Sequence, residues 1–129
     1  MPVPKILIVD DDRQSRELLR EVLEANGYKV GDVHDGKAAR KELGHEGEYR
    51  IVIADLRMPG ESGIELLRHL RQQDSRYSVV LMSSFISEAE KQMAQELGVD
   101  ALLEKPFRLS EFLQVVSELA GRASIGVST

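Results

Sequence analysis

Short runs of aliphatic residues recur along the chain and predict the strands of a buried sheet. Four runs are rich in Ile, Val and Leu: Lys5–Val9, Arg50–Ala54, Ser78–Met82 and Ala101–Leu103. They are too short for helices, and apolar character without alternation is typical of strands buried on both faces. A weaker candidate, Tyr28–Val33, contains a lysine, an aspartate and a glycine, so we expect it at an edge of the sheet.

Segments with helical periodicity lie between these runs. Helices are predicted over Arg13–Asn26, Gly36–Leu43, Ser62–Gln73, Ser87–Leu97 and Ser110–Ala120. The third and fourth begin with the capping-box pattern, a serine followed three residues later by a glutamate. A strand–helix order repeated along the chain predicts a single α/β domain whose parallel sheet is covered by helices on both faces.

Finer expectations concern the helix faces and the end of the chain. The first helix is predicted to bury a stripe made of Leu18, Leu19, Val22 and Leu23. The fourth is predicted to bury only Ala89, Met93 and Leu97, a thin stripe that leaves the helix easy to shift. We expect the basic run Arg68–Arg71 to be a solvated helix face. Residues 1–121 are expected to form the domain, and residues 122–129 a flexible tail or the start of a linker.

Length and composition exclude several classes of protein. The 129 residues correspond to one domain, and 17 Lys and Arg against 22 Asp and Glu give a net charge of −5. This charge argues against direct binding of nucleic acid or an anionic membrane. The absence of cysteine excludes disulfides, thiolate metal sites and cysteine nucleophiles. No apolar run approaches the roughly 18 residues of a membrane span, and the first residues do not resemble a signal peptide, so we expect a cytoplasmic protein.

Polar residues directly follow four of the predicted strands. Asp10–Asp12 follow the first strand, Asp55 the third, Ser83–Ser84 the fourth and Glu104–Pro106 the fifth. Open parallel sheets form their sites beyond the carboxyl ends of the strands, where the strand order reverses. We therefore expect acids, hydroxyl groups and one lysine to share one edge of the sheet.

Such a group of acids requires a compensating charge. Two carboxylates about 4 Å apart repel by roughly 4 kcal/mol at an effective dielectric constant of about 20. Lys105 offers one positive charge to Asp10, Asp11 and Asp55, so a hard divalent cation such as Mg²⁺ is the natural further partner. A carboxylate beside Mg²⁺, a hydroxyl and a lysine is the set needed to accept a phosphoryl group. The alternative, that Asp12 merely caps the next helix, stays open for that residue.

Four segments in order make the chain resemble a response-regulator receiver domain of two-component signalling, similar to the chemotaxis regulators. They are ILIVDDD (Ile6–Asp12), DLRMPGESG (Asp55–Gly63), VVLMSS (Val79–Ser84) and EKPF (Glu104–Phe107). Each lies at the end of a predicted strand, and the resemblance covers about residues 4–121. It implies a flavodoxin-like, doubly wound five-stranded sheet with the strand order 2-1-3-4-5.

The resemblance also implies a role for each strand-end acid. Asp55 would be the phosphoacceptor, which takes a phosphoryl group from the phosphohistidine of a histidine kinase. Asp10 and Asp11, together with Asp55 and the backbone carbonyl of Arg57, would hold Mg²⁺. The domain would then be a signalling domain rather than an enzyme, catalysing only its own phosphorylation and slow dephosphorylation.

The remaining motif residues would contact the phosphoryl group or respond to it. Ser83 and Lys105 would bind its oxygens, and the Lys105–Pro106 peptide bond would be cis. The switch region would include Ser84 and Leu102. Many receivers have an aromatic ring where this chain has Leu102, so we expect the switch to use the fourth helix and the loop before it. The resemblance places Arg57 and Phe85 on the two sides of the path of hydrolytic water.

The resemblance implies protein partners. A sensor histidine kinase or a phosphotransfer protein would supply the phosphoryl group. An output domain or partner protein would bind the face made by the fourth helix, fifth strand and fifth helix, and this face would also support a phosphorylation-dependent homodimer. The sequence does not identify the output.

Two other functions remain open. A haloacid-dehalogenase-like phosphatase also uses a strand-end aspartate with Mg²⁺, and in that case Asp10 would be the nucleophile. Asp10–Asp12 formally match the D-x-D motif of that family, but the Thr or Val expected two residues later is Gln14 here, and no second acidic pair follows a late strand. A phosphorylation-independent interaction module with the receiver fold would typically lack part of the acid, hydroxyl and lysine set, which this chain retains.

Overall fold

The apolar runs form parallel strands that alternate with helices. The computed structural model describes residues 3–45, 47–73 and 76–128, with the side chains of 123–128 left aside. Within these residues the elements are β1 Lys5–Val9, α1 Arg13–Ala25, β2 Lys29–Val33, α2 Gly36–His45, β3 Tyr49–Asp55, α3 Gly63–Gln73, β4 Ser78–Ser83, α4 Glu88–Glu96, β5 Ala101–Glu104 and α5 Leu109–Ser128. None of these helices is long and apolar enough to cross a membrane.

The sheet is parallel throughout, with the order β2-β1-β3-β4-β5, which confirms the flavodoxin-like fold. Successive side chains point to opposite faces, so the aliphatic runs supply two cores. Ile6, Ile8 and Ile53 pack with α1 and α5, whereas Leu7 and Val52 pack with α2, α3 and α4. The strand order reverses between β1 and β3, so a crevice forms at their carboxyl ends.

The weak strand β2 lies at an edge of the sheet, as its composition predicted. Its glycine has a packing role: a Cβ at Gly31 would overlap the hydroxyl of Tyr49. Tyr49 is buried, and its hydroxyl donates a 2.8 Å hydrogen bond to Glu42. Gly31 therefore allows a large side chain to pass close to the edge strand.

The predicted inner face of α4 is right for Leu97, which is partly buried against the core, and wrong for Ala89 and Met93. Ala94 is its buried residue, whereas Ala89 is exposed and the Met93 side chain is 40% exposed. A helix that buries a single alanine has faces of similar hydrophobicity. The spacing of its apolar residues therefore did not predict which face of α4 packs against the core. In α1 helical spacing correctly predicted that Leu19 and Leu23 are buried. It also predicted that Leu18 is buried, but this residue is 51% exposed.

The predicted end of α5 at Ala120 is also wrong, because its backbone continues as a helix to Ser128. The segment expected to be irregular contains two glycines and no proline. Glycine lowers helix propensity without blocking the hydrogen bonds of the helix, whereas proline removes a donor. Residue 129 lies outside the described residues.

Arg71 does not belong to a solvated face, although the run Arg68–Arg71 predicted one. Its side chain is only 18% exposed. The guanidinium donates to the carbonyls of Tyr77 at 2.8 Å, Leu97 at 3.1 Å and Gly98 at 2.8 Å, and to the Asp100 carboxylate at 3.2 Å. We call this group the Arg71 clamp. It ties the last turn of α3 to the segment before β4 and to the connection between α4 and β5.

Candidate functional site

The carboxyl ends of four strands bring the predicted residues to one edge of the sheet. Asp10 directly follows β1, Asp55 ends β3, Ser83 ends β4 and Lys105 directly follows β5. The ammonium nitrogen of Lys105 lies 3.1 Å from Asp55 Oδ2 and 3.8 Å from Asp10 Oδ2. The structure therefore brings together two predicted acids and the predicted lysine.

Asp55 is held at both carboxylate oxygens. Oδ2 accepts the hydrogen bond from Lys105, and Oδ1 accepts a 2.9 Å bond from the backbone N–H of Arg57. The Asp55 side chain remains 13% exposed. Behind it the backbone is closely packed, since a Cβ at Gly63 would lie 2.7 Å from the carbonyl oxygen of Asp55. Glycine at this position lets α3 begin directly against the end of β3.

Asp10 is fully buried beside Asp55. Its Oδ1 accepts a 2.9 Å hydrogen bond from the backbone N–H of Asp12, but its Oδ2 is buried without a hydrogen-bond partner. Burial raises the pKa of Asp10 above its ordinary value, and the charge of Asp55 acts in the same direction. The hydrogen bonds from the Asp12 backbone and the Ser15 side chain and the charge of Lys105 lower the pKa, but burial outweighs them.

The donor set fits a Mg²⁺ ion better than a cation that demands many side-chain ligands. Among the described residues, no three His, Asp or Glu side chains are already arranged to hold a metal. Mg²⁺ needs only one or two carboxylates, with carbonyl and water oxygens completing its shell. The orphaned Oδ2 of Asp10 and the carboxylate of Asp55 supply that minimum. Asp11 is exposed and lines an adjoining cavity of about 440 Å³ with Arg57.

The ends of β4 and β5 are joined at the other side of the site. The Lys105 backbone N–H donates a 2.7 Å bond to the carbonyl of Ser83. The Ser83 hydroxyl is buried and accepts a 3.4 Å bond from the backbone of Phe85, whereas Ser84 is exposed. Leu102 is half-buried and packs against the core on the α3 and α4 face. The Lys105–Pro106 bond is cis, as the resemblance implied.

A bridge from Arg57 to α4 was not predicted from the sequence. Arg57 Nη2 donates to Glu90 Oε1 at 2.8 Å and to the backbone carbonyl of Phe85 at 3.2 Å. We call these contacts the Arg57–Glu90 bridge. Glu90 Oε1 also accepts a 3.0 Å bond from the backbone N–H of Ser87, which completes the predicted capping box. These bonds, first that from Ser87 and then that from Arg57, hold the pKa of Glu90 below its ordinary value.

A second unpredicted arginine fixes the backbone at the end of β1. Arg16 Nη1 donates a 2.8 Å bond to the carbonyl of Asp10, and its Nε lies 2.9 Å from Asp32 Oδ2. Arg20 contacts the same aspartate. The helical spacing of Arg16 and Arg20 on α1 and the acid in β2 were the available signal for this network.

Sequence comparison identifies relatives over nearly the whole chain. Residues 6–117 match the family of the response regulator receiver domain. The transcriptional regulatory protein ResD of Bacillus subtilis is 35% identical over 120 residues, which cover 93% of this chain and 49% of ResD. CpxR of Escherichia coli is 35% identical over 119 residues, covering 92% of this chain and 50% of CpxR. The chain thus spans about half the length of these curated relatives.

Solved structures agree with the sequence comparison. A response regulator receiver protein from Pseudomonas putida has 31% identity and a TM-score of 0.86, covering 92% of this chain and 98% of that protein. The response regulator TrrA of Thermotoga maritima, in complex with Mg²⁺ and BeF, has 30% identity and a TM-score of 0.81. That match covers 90% of this chain and 98% of TrrA.

Proposed function

This chain belongs to the response-regulator receiver family of two-component signal transduction, and we propose that Asp55 is its phosphoacceptor. One observation carries this assignment: Asp55 is partly exposed and bonded to Lys105, whereas Asp10 is wholly buried. A nucleophile must be reached by its phosphodonor, so Asp55 is the acid positioned to attack. The family match gives no support to the phosphatase alternative, in which Asp10 would attack.

The proposed reaction transfers a phosphoryl group from a kinase phosphohistidine to the Asp55 carboxylate. A carboxylate oxygen forms a bond to phosphorus while the phosphorus–nitrogen bond breaks, and the electron pair returns to the imidazole nitrogen. Lys105 neutralises charge on the phosphoryl oxygens, and the Ser83 hydroxyl donates a hydrogen bond to one of them. The product is an aspartyl phosphate, which water later hydrolyses slowly.

Mg²⁺ is the proposed cofactor, held by the carboxylates of Asp10 and Asp55 and by the backbone carbonyl of Arg57, with Asp11 as a further acid. When bound, it would neutralise charge that develops on the phosphoryl oxygens. The Asp10 oxygen that lacks a hydrogen-bond partner supports this assignment, because a buried carboxylate oxygen without a hydrogen bond is costly. The Mg²⁺–BeF complex of TrrA is consistent with it.

We propose that phosphorylation shifts α4 and the loop before it, with Ser84 and Leu102 in the switch region. The output would use the face formed by α4, β5 and α5, either toward a partner or output domain or in a phosphorylation-dependent homodimer. Two relatives are transcriptional regulatory proteins about twice as long, so residues 122–129 are proposed as a tail or the start of a linker after a receiver of residues 1–121. The proposed location is the cytoplasm.

Incubation with acetyl phosphate and Mg²⁺, followed by intact-mass measurement, tests the central proposal. We expect one phosphoryl adduct on the wild type and none on Asp55→Asn. Asp35→Asn is the matched control, because Asp35 follows a different strand and its cap of Ala38 is one that asparagine also makes. An adduct that persists in Asp55→Asn contradicts the assignment. No adduct on the wild type, from acetyl phosphate or a phosphorylated kinase, favours the phosphorylation-independent module.

A further inference from the structure

The Arg57–Glu90 bridge joins the residue two positions after Asp55 to the first turn of α4. The backbone N–H of Arg57 bonds Asp55 Oδ1 at 2.9 Å, while its side chain contacts α4 and the loop before it. One residue thus contacts both the proposed phosphoacceptor and the proposed moving helix. The bridge is partly solvent-accessible, since the Arg57 side chain is 53% exposed and the Glu90 side chain 22% exposed.

The guanidinium of Arg57 is bound by two acceptors, one on α4 and one in the loop before it. A guanidinium nitrogen Nη carries two hydrogens, and the two acceptors of Nη2 are the Glu90 carboxylate and the Phe85 carbonyl. The charge of Glu90 neutralises that of Arg57. Both residues line the cavity of about 440 Å³ together with Asp11 and Leu56, the residue that follows the proposed phosphoacceptor.

We propose that Glu90 is a positioning residue for the phosphoacceptor, because it holds the Arg57 guanidinium against α4 in competition with phosphate at Asp55. The inference rests on the proposed function of Asp55. A phosphodonor brings a dianionic phosphate, which pairs with arginine at least as strongly as a single carboxylate does. Capture of Arg57 by the phosphate removes one of the contacts that hold the first turn of α4. Glu90 would thereby set the affinity for the phosphodonor and couple the site to the helix.

The test compares Glu90→Gln with the wild type, in the presence and absence of Arg57→Ala. Glutamine still accepts the hydrogen bond from Ser87, so the capping box survives while the charge disappears. Arg57→Ala removes the side chain and leaves the backbone N–H and carbonyl in place. Glu88→Gln is the matched control, because Glu88 lies in the same turn and its side chain is 93% exposed.

The measurement is the rate of phosphorylation, by intact mass, at increasing acetyl phosphate and constant Mg²⁺. We expect Glu90→Gln to lower the half-saturating concentration of acetyl phosphate about threefold to fivefold, with little change in the limiting rate. In the Arg57→Ala background the same substitution should have no effect. The effect should shrink as salt rises from about 0.1 M to about 1 M, where the Debye length falls from about 10 Å to about 3 Å.

Two results would overturn the inference while Asp55 remains the phosphoacceptor. One is an equal shift in both backgrounds, which means that Glu90 does not act through Arg57. The other is an equal shift from Glu88→Gln, which means that any negative charge near the site has this effect. Failure of the proposed function appears earlier in the experiment, as an adduct that survives Asp55→Asn or as no adduct at all.

Discussion

The two ends of α4 are held by arginines in very different surroundings. At the site end, Arg57 is 53% exposed and contacts one carboxylate and one carbonyl. At the far end, Arg71 is 18% exposed and its clamp has four acceptors. Exposed ion pairs contribute little to stability, whereas half-buried charges with several hydrogen bonds contribute more. We therefore expect the contacts at the site end of α4 to break more easily than those at the far end.

The middle of the helix adds little to either end. Ala94 is the only buried residue within α4, and an alanine buries far less apolar area than the leucines of α3. The position of α4 therefore depends on its two ends more than on its core contacts. A signal from Asp55 needs to loosen only the contacts nearest to it.

The largest effect is expected from breaking the Arg71 clamp. Arg71→Ala leaves the Asp100 carboxylate and three carbonyls without their arginine, so we expect the free energy of unfolding to fall by about 2–3 kcal/mol. Urea unfolding followed by circular dichroism measures it. The control Arg68→Ala, on an exposed position of the same helix, should change stability by less than about 0.5 kcal/mol. Equal effects would mean that the clamp is no stronger than a surface charge.

A smaller loss of stability is expected when the N-terminal cap of α4, at the site end of the helix, is removed. Ser87→Ala deletes the hydroxyl that accepts from the Glu90 backbone N–H at 3.1 Å, so stability should fall by about 1 kcal/mol. Amide exchange should accelerate in the first turn of α4. The amide of Asp100, bonded to the carbonyl of Val79, should keep its protection. Loss of protection at both ends would show that α4 opens as one unit.

Phosphorylation should act on the same end of the helix. We expect the Ser87 and Glu90 amides to exchange about fivefold faster in the phosphorylated domain, an opening change of just under 1 kcal/mol. The amides of Val99 and Asp100 serve as internal references, since they bond within the far end. Hydrogen exchange before and after addition of acetyl phosphate checks this. Unchanged exchange throughout residues 83–97 would contradict a switch that uses α4.

The smallest effect concerns the pH dependence of the Arg57–Glu90 bridge. The pKa of Glu90 is lowered in the folded state, so its contribution to stability is complete above the ordinary value of 4.5 and is lost as the pH falls through the lowered value. Because the Arg57 side chain is 53% exposed and solvent screens the pair, we expect a contribution of at most about 0.5 kcal/mol. Unfolding of the wild type and Glu90→Gln should differ by a constant amount at neutral pH and converge in acid. A difference that grows in acid would contradict this sign.

The strand-end residues were predictable because topology alone brings them together. Parallel strands end on the same edge, so Asp10, Asp55, Ser83 and Lys105 follow from the position of each aliphatic run. The side chains of Arg57 and Arg71 were not predictable in this way. Apart from Tyr77, which lies six residues after Arg71, their partners lie 26 to 33 residues away on α4 and its flanking loops, with no periodic signal linking them. The capping box predicted the contacts between Ser87 and Glu90. It did not predict that Glu90 Oε1 also accepts a hydrogen bond from the Arg57 guanidinium.

The faces of the helices were predictable only where the residues differ strongly. Leu19 and Leu23 on α1 are large and buried as predicted. The apolar residues of α4 are two alanines and a methionine that do not all lie on one side of the helix, so none of them marks the buried face clearly. The end of α5 was missed because the residues after Ala120 carry no clear apolar stripe, and the glycines among them weaken a helix without ending it.

Gly63 bears on the direction in which a displacement at Asp55 would spread. Because α3 begins in close contact with the backbone of Asp55, the proposed phosphoacceptor, we expect that side of the site to be stiff. The opposite side, where the Arg57–Glu90 bridge meets α4, is compliant. When a stiff and a compliant element meet at one point, displacement occurs mainly in the compliant one. The mechanical response of the domain is therefore anisotropic, and a single glycine contributes to its direction without contacting phosphate.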